Sequence, residues 1–233
     1  MKYALVNGVK THIRNAERGT IGYDCWFPEY EVKACKGHYM QYWKYTEEHP
    51  DLPEGYENDT EWHAAWKQAV RDEFCEVVCG ENREHRADIR TQEYVIELQY
   101  SSISYDAAVD RCEFYHELTD RRVVWVVNAY DAWRKNNLHV TKNENSQSKN
   151  LLVTWKYPKR WVIDICGLQS TTVLLDFNPN AFSLLLLWKY NNQLYGKWVG
   201  KEHFYDVYLR DVGTGKENFL TAIKGIDVNK FLK

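Results

Sequence analysis

The chain has 233 residues, of which 44% are hydrophobic and 27% charged, which predicts one or two folded domains. With 30 basic and 33 acidic side chains its net charge is −3. That argues against a protein that coats nucleic acid nonspecifically, but not against a nuclease, where acidic groups at a metal and basic groups around it cancel. No window approaches the ~18 apolar residues of a membrane span, and no basic-then-apolar leader opens the chain, so the expectation is a cytoplasmic protein without membrane contact.

The first region, residues 1–55, reads as short strands and turns. Residues 3–6, 9–13 and 31–35 are β-type runs separated by Gly8, Gly19, Gly22 and Gly37. Six cysteines (25, 35, 75, 79, 112 and 166) form no dense framework and read as reduced thiols. Cys25, Cys35, His38 and His49 have irregular spacing for a four-ligand zinc site, so the region is expected to be zinc-free. The Pro-rich run at 49–55 reads as a linker.

The second region, residues 56–130, has the clearest pattern. Trp62, Ala65, Trp66, Ala69 and Val70 repeat at helical spacing, with Asn58 and Glu61 as a capping pair. Residues 74–79, 84–90 and 94–100 read as strands, the last two joined tightly through Thr91, Gln92 and Glu93. Ser104 can cap a helix over residues 105–118, with Ala108, Cys112 and Tyr115 on one side. The apolar run 123–127 reads as a buried strand. The predicted order is α-β-β-β-α-β. The third region, residues 131–233, reads as β-rich, with strands at 151–157, 160–165, 172–177 and 182–190 and a low-complexity stretch at 143–150. It shows no assignable chemistry and serves as a packing unit or a partner surface. The high aromatic load, 10 Trp and 17 Tyr, reads mainly as packing, with stacking on nucleotides as its other use.

Chemistry concentrates on residues 94–100. Tyr94, Ile96, Leu98 and Tyr100 alternate onto one face of the strand, and Val95, Glu97 and Gln99 onto the other. A carboxylate on an otherwise apolar strand costs several kcal/mol unless it is paired or binds a metal. Asp88, on the preceding strand, is brought near Glu97 by a tight hairpin. Two carboxylates together suit a hard divalent cation such as Mg²⁺ or Mn²⁺, which activates water and stabilises charge on a phosphodiester. The alternative is structural: Asp88 pairs with Arg86 or Arg90, and Glu97 with Arg83 or Arg111.

The stretches His85–Arg90, Val95–Ser104, Arg111 with Phe114 and Tyr115, and Val123–Asn128 resemble the competence protein CoiA-like family. That resemblance covers about residues 58–128 and implies a PD-(D/E)xK, restriction-endonuclease-like core. It implies that Asp88 and Glu97 are metal ligands and that Gln99 stands where most of the superfamily has lysine. A neutral amide there can position water or phosphate but supplies no charge. Glu61, at the head of the first helix, is implied as a further catalytic residue acting through water, and Ser102 and Arg111 as phosphate contacts. His63 reads as a helix-surface residue. The implied function is a metal-dependent deoxyribonuclease in DNA uptake, recombination or defence, with DNA and recombination proteins as partners. The alternatives are a non-catalytic DNA-binding or recombination-accessory module and a protein-interaction module.

Overall fold

The computed structural model describes residues 1–38, 40–47, 50–51, 60–143 and 150–226, without the side chains of 118 and 119. Asn58, most of the predicted linker and most of the low-complexity stretch lie outside the described residues.

The chain is a mixed α/β protein with two sheets. The first is antiparallel, in the order β2-β1-β3-β4-β5, and consists of β1 (Tyr3–Val6), β2 (Val9–His12), β3 (Ile21–Tyr23), β4 (Glu31–Lys36) and β5 (Gln41–Tyr45). Alternation along β4 and β5 turns Val32, Ala34 and Trp43 inward, where they join Ala4, Ile13 and Ala16 in a small core. The strands β3 and β5 escaped the sequence reading because three to five residues with mixed polarity carry little periodic signal.

The predicted α-β-β-β-α-β succession is present as α1 (Glu61–Gln68), β6 (Cys75–Cys79), β7 (His85–Arg90), β8 (Tyr94–Gln99), α2 (Tyr105–Thr119) and β9 (Arg122–Asn128). Strands β6, β7 and β8 form an antiparallel meander, and α2 carries the chain over so that β9 runs parallel to β8. A parallel pair needs such a crossover, whereas an antiparallel pair needs only a turn. Ser104 caps α2 as expected, accepting from Ala107 N at 3.1 Å. The cap of α1 is Thr60 rather than Asn58, and its capping-box partner is His63 rather than Glu61.

The remaining elements are α3 (Tyr130–Arg134), β10 (Leu138–Lys142), β11 (Leu151–Trp155), α4 (Arg160–Ile165), β12 (Thr171–Asp176), β13 (Ser183–Tyr190), β14 (Gln193–Gly200), α5 (Lys201–Phe204) and α6 (Lys216–Lys224). Their strands form no sheet of their own. They extend the same nine-stranded sheet, ordered β10-β11-β14-β13-β12-β9-β8-β7-β6. Strand β9 therefore lies between two parallel neighbours, β8 and β12, and residues 123–128 are all buried. Residues 160–165 are a helix, which corrects the strand reading. Trp161, Val162 and Ile165 are buried at helical spacing, and a six-residue apolar run does not separate the two periods. Strand β14 carries Gly196, where an added Cβ would sit 2.8 Å from Leu185 Cδ1.

Each face of the large sheet has its own core. On one side α1 and α6 bring Trp62, Trp66, Phe219 and Ile223 over Ile96, Leu98, Val124 and Val126. On the other, α2 and α4 bring Ala108, Cys112, Tyr115 and Trp161 over Val95, Val123, Trp125 and Val127. The small sheet docks on the α1 side at β6. Lys10 Nζ donates to the carbonyls of Cys75 and Glu76, and Arg83 Nε to Trp26 O at 2.7 Å.

Trp66 is fully buried and meets Phe204 and Phe219 edge-on, both at 5.3 Å between ring centroids. It thus ties the α-β-β-β-α-β segment to the C-terminal helices. Trp66→Ala is expected to lower unfolding free energy by about 3–5 kcal/mol. Urea denaturation should show one cooperative transition in both proteins.

Candidate functional site

Strands β7 and β8 are paired only at their turn end, through Ile89 with Ile96 and Arg90 with Val95. Beyond that point they splay, and Asp88 fills the gap by accepting from Leu98 N with Oδ2 at 2.9 Å. On its other side the β6–β7 ladder skips the position where Glu76 would face Asp88. Glu76 has φ 48°, the left-handed region, uncommon for a residue with a side chain. That rotation sends Cys75 and Val77 to opposite faces of the sheet, although alternation alone would place them together. It also leaves the Glu76 carboxylate inside, opposite Asp88.

Lys67 of α1 holds these two acids together. Its Nζ lies 2.8 Å from Asp88 Oδ1 and 3.2 Å from Glu76 Oε1, with only 6% of the side chain exposed. Arg86 Nη1 adds a contact to Glu76 Oε2 at 3.5 Å. His63, one turn earlier on α1, donates from Nε2 to Leu98 O at 2.9 Å while Nδ1 faces Thr60. It is 2% exposed, which corrects its reading as a surface residue. His63 and Lys67, four residues apart, form a polar flank beside the Trp62–Trp66 stripe, and that spacing is the signal that could have found them. Glu76 was also overlooked. It sits within the apolar strand Cys75–Cys79, the same pattern that singled out Glu97.

Glu97 points from β8 towards α2. Its Oε2 meets Arg111 Nη1 at 2.7 Å, its Oε1 is buried with no hydrogen bond, and the Tyr115 phenol faces the same carboxylate. Arg111 is thus engaged in a buried pair, one of the structural alternatives, and is 9% exposed. Burial pushes the Glu97 carboxyl up to about 7; Arg111 opposes the rise and the nearby Asp88 charge adds to it. Burial works in the same sense on Asp88, but Lys67, His63 and the Leu98 N–H outweigh it, and that carboxyl lies below its ordinary value. The two carboxylates therefore sense each other across adjacent strands. Glu97 faces α2, while Asp88 sits in the gap where α1 also reaches it.

Gln99 follows on the Glu97 face, buried, with Nε2 3.5 Å from Ser101 O. Glu61 is exposed on the first turn of α1. Ser102 is exposed in the loop from β8 to α2, beside Lys159. Cys25 is buried against the main core and Cys35 lies on β4, while His49 is outside the described residues. Among the described residues no three His, Cys, Asp or Glu side chains converge as a metal cage. Compared with family models, curated proteins and solved structures, the chain finds no match.

Two outcomes follow from the charges. Lys67→Met leaves Glu76 and Asp88 opposed and buried without their cation, and should cost about 3–5 kcal/mol by urea unfolding. The Asp88 part of that loss should shrink as pH falls below the ordinary carboxylate range, because the lowered Asp88 value makes its ion-pair contribution one that is present at neutral pH and lost in acid. For Glu97 the folded value lies above the ordinary 4.5, so its stabilising contribution is complete below about 4.5 and is lost as pH rises through about 7. Glutamine mimics the protonated acid. In EDTA, Glu97→Gln should match the wild-type unfolding free energy near pH 5 and exceed it at pH 8 by roughly 1 kcal/mol or more. A difference independent of pH would contradict the raised value.

Proposed function

We propose that this protein is a divalent-metal-dependent nuclease acting on DNA, in uptake, recombination or defence. In this reading α1, β6–β8, α2 and β9 form a restriction-endonuclease-like core resembling that of the CoiA-like family. The observation that carries it is the Glu97 carboxylate. It is buried, has one oxygen on Arg111 and the other facing no cation among the described residues, with only the Tyr115 phenol nearby, and is pushed up to about 7 despite its arginine. A site that holds a carboxyl so reluctantly charged is short of positive charge, and a cation beside Oε1 would supply it.

The donors fit Mg²⁺ or Mn²⁺. Such ions commonly take one or two carboxylates and complete their octahedron with water and substrate phosphate. Glu97 Oε1 and the remaining lone pairs of Asp88 would hold the ion. When bound, it supplies a Lewis acid that makes water nucleophilic at neutral pH and stabilises charge on the phosphodiester. Lys67 keeps Asp88 ionised and fixed, and Arg111 fixes one oxygen of Glu97. Gln99 orients water or a phosphate oxygen by hydrogen bonding. Glu61 lies at the solvent side of α1, where it can act only through water. The residues holding Asp88 and Glu97 also favour a second reading, a non-catalytic DNA-binding or recombination-accessory module, because Lys67 and Arg111 already occupy one oxygen of each acid. No described helix is long and apolar enough to cross a membrane.

The test is cleavage of supercoiled, linear and single-stranded DNA with Mg²⁺, Mn²⁺ or EDTA, with Mn²⁺ binding measured separately by titration. Asp88→Asn and Glu97→Ala should nearly abolish both cleavage and Mn²⁺ binding. Gln99→Ala should lose less, since a hydrogen bond of ~1 kcal/mol corresponds to under tenfold, and Gln99→Lys should retain activity. DNA binding in EDTA should persist throughout. Cleavage by a folded Glu97→Ala protein at the wild-type rate would remove the site, and no cleavage with any metal would favour the accessory module.

A further inference from the structure

The small sheet carries an open groove of about 930 Å³ along β4 and β5, whose wall includes Arg18, Lys33, Lys36, Tyr42 and Lys44. The alternation that turns Ala34 and Trp43 inward turns Lys33 and Lys44 outward, and the register sets these two lysines directly opposite each other. Like charges in that position destabilise a sheet. A lysine on an edge strand such as β5 guards against stray pairing, but Lys33 stands on β4, which has a neighbour on each side. Arg18 joins from the turn before β3, where a Cβ added at Gly19 would sit 3.9 Å from Lys33 Cε. Lys36 joins from the end of β4, its Nζ tethered to Arg14 O at 3.1 Å. Acidic residues outnumber basic ones in the chain, 33 to 30, yet no described acidic side chain lines this groove. None of its four cations forms an ion pair with a described residue. Glu17, Glu31 and Glu47, the neighbouring acids in sequence, are exposed and stay outside its wall. Tyr42, opposite Cys35, shares the outer face with Lys33 and Lys44 and is 36% exposed.

We propose that this groove binds the backbone of a nucleic-acid strand, an inference that rests on the nucleic-acid reading above and adds a binding surface apart from the carboxylates. Four uncompensated cations spread over two strands and a turn match an anion whose charge repeats, and the volume is at the upper end of ligand sites rather than that of a single small ion. Cations that track phosphates beside an exposed ring that stacks on a base are the elements by which single strands are held. The same face of the small sheet, through Leu5 and Lys10, meets the main body at β6. A nucleic acid laid from β5 across β4 therefore heads towards β6, the neighbour of the strand that carries Asp88.

The experiment measures anisotropy of short labelled oligo-dT, oligo-rU and an abasic strand in EDTA over a series of KCl concentrations. Lys33→Gln combined with Lys44→Gln should weaken oligo-dT binding roughly tenfold at low salt and make the slope of log K against log[KCl] shallower by about 1.4, two phosphate contacts at ~0.7 each. The same double variant should unfold in urea no earlier than wild type, because it removes a like-charge pair, so its loss of binding is not a loss of fold. Lys142→Gln combined with Lys189→Gln changes the net charge equally on exposed positions of β10 and β13 and should leave both affinity and slope unchanged. Tyr42→Leu should weaken oligo-dT by about fivefold or more and leave the abasic strand unaffected. Tighter binding of oligo-dT or of oligo-rU supports the proposal and tells which nucleic acid is held. Equal effects of the two double variants, or displacement of oligo-dT by polyglutamate at equal charge concentration, would overturn it, the second result pointing to an acidic protein partner. Groove-dependent binding without cleavage by any metal would sink the nuclease reading and leave this one standing; metal-dependent cleavage with affinity unchanged in the groove variant would do the reverse.

Discussion

Lys67 carries a full positive charge into the interior, between the two acids that interrupt the β6–β7–β8 meander. Removing an ammonium and two carboxylates from water costs several kcal/mol per ion, and only close contacts can offset it. Much of the local architecture serves that arrangement. Glu76 takes a left-handed backbone angle so that its carboxylate turns inward. Asp88 replaces a ladder hydrogen bond with its side chain, and β7 and β8 diverge. The small sheet contributes Lys10, whose ammonium binds the carbonyls of Cys75 and Glu76 at the bulge. The N-terminal sheet is thus attached where the main sheet is least regular.

The same irregularity gives the proposed metal site its character. A regular ladder would satisfy every backbone group and leave no gap. Here the splay exposes a point between strands to both α1 and α2, each of which places a cation on one acid. The two acids are treated differently. Lys67 and a backbone N–H hold Asp88 in its charged form, whereas deep burial keeps Glu97 close to neutrality. One firmly ionised carboxylate beside a reluctant one means that a single added positive charge would be bound mainly through Glu97.

The C-terminal third completes rather than accompanies this core. Strand β12 covers the open side of β9, and α6 lies on α1 beside Trp66. Buried Lys201 and Asp176, 3.0 Å apart, with Trp62 Nε1 donating to Asp176 at 2.9 Å, lock β12 to α1 and the end of β14. The curl of β14, β11 and β10 then brings Trp155 over the ends of β8 and β9, where a small cavity forms.

The amino-acid sequence alone determined the local elements from residue 61 to residue 128, because Trp62–Val70 repeats at helical spacing and Val123–Val127 is an unbroken run of β-branched and aromatic residues, which favours a strand. It also singled out Glu97, since a carboxylate on an apolar strand stands out in any register. It could not resolve residues 160–165, a run too short to distinguish a helix from a strand, nor the place of the third region, because strand order is set by partners far along the chain. The identity of each charge's partner was decided only by the tertiary structure. Glu97 had two arginines within plausible reach and took Arg111; Asp88 took Lys67, twenty-one residues upstream on a helix, rather than the neighbouring Arg86 or Arg90. Side-chain pairing follows distance in space, and the splay of β7 from β8 that sets those distances is a product of the packed sheet.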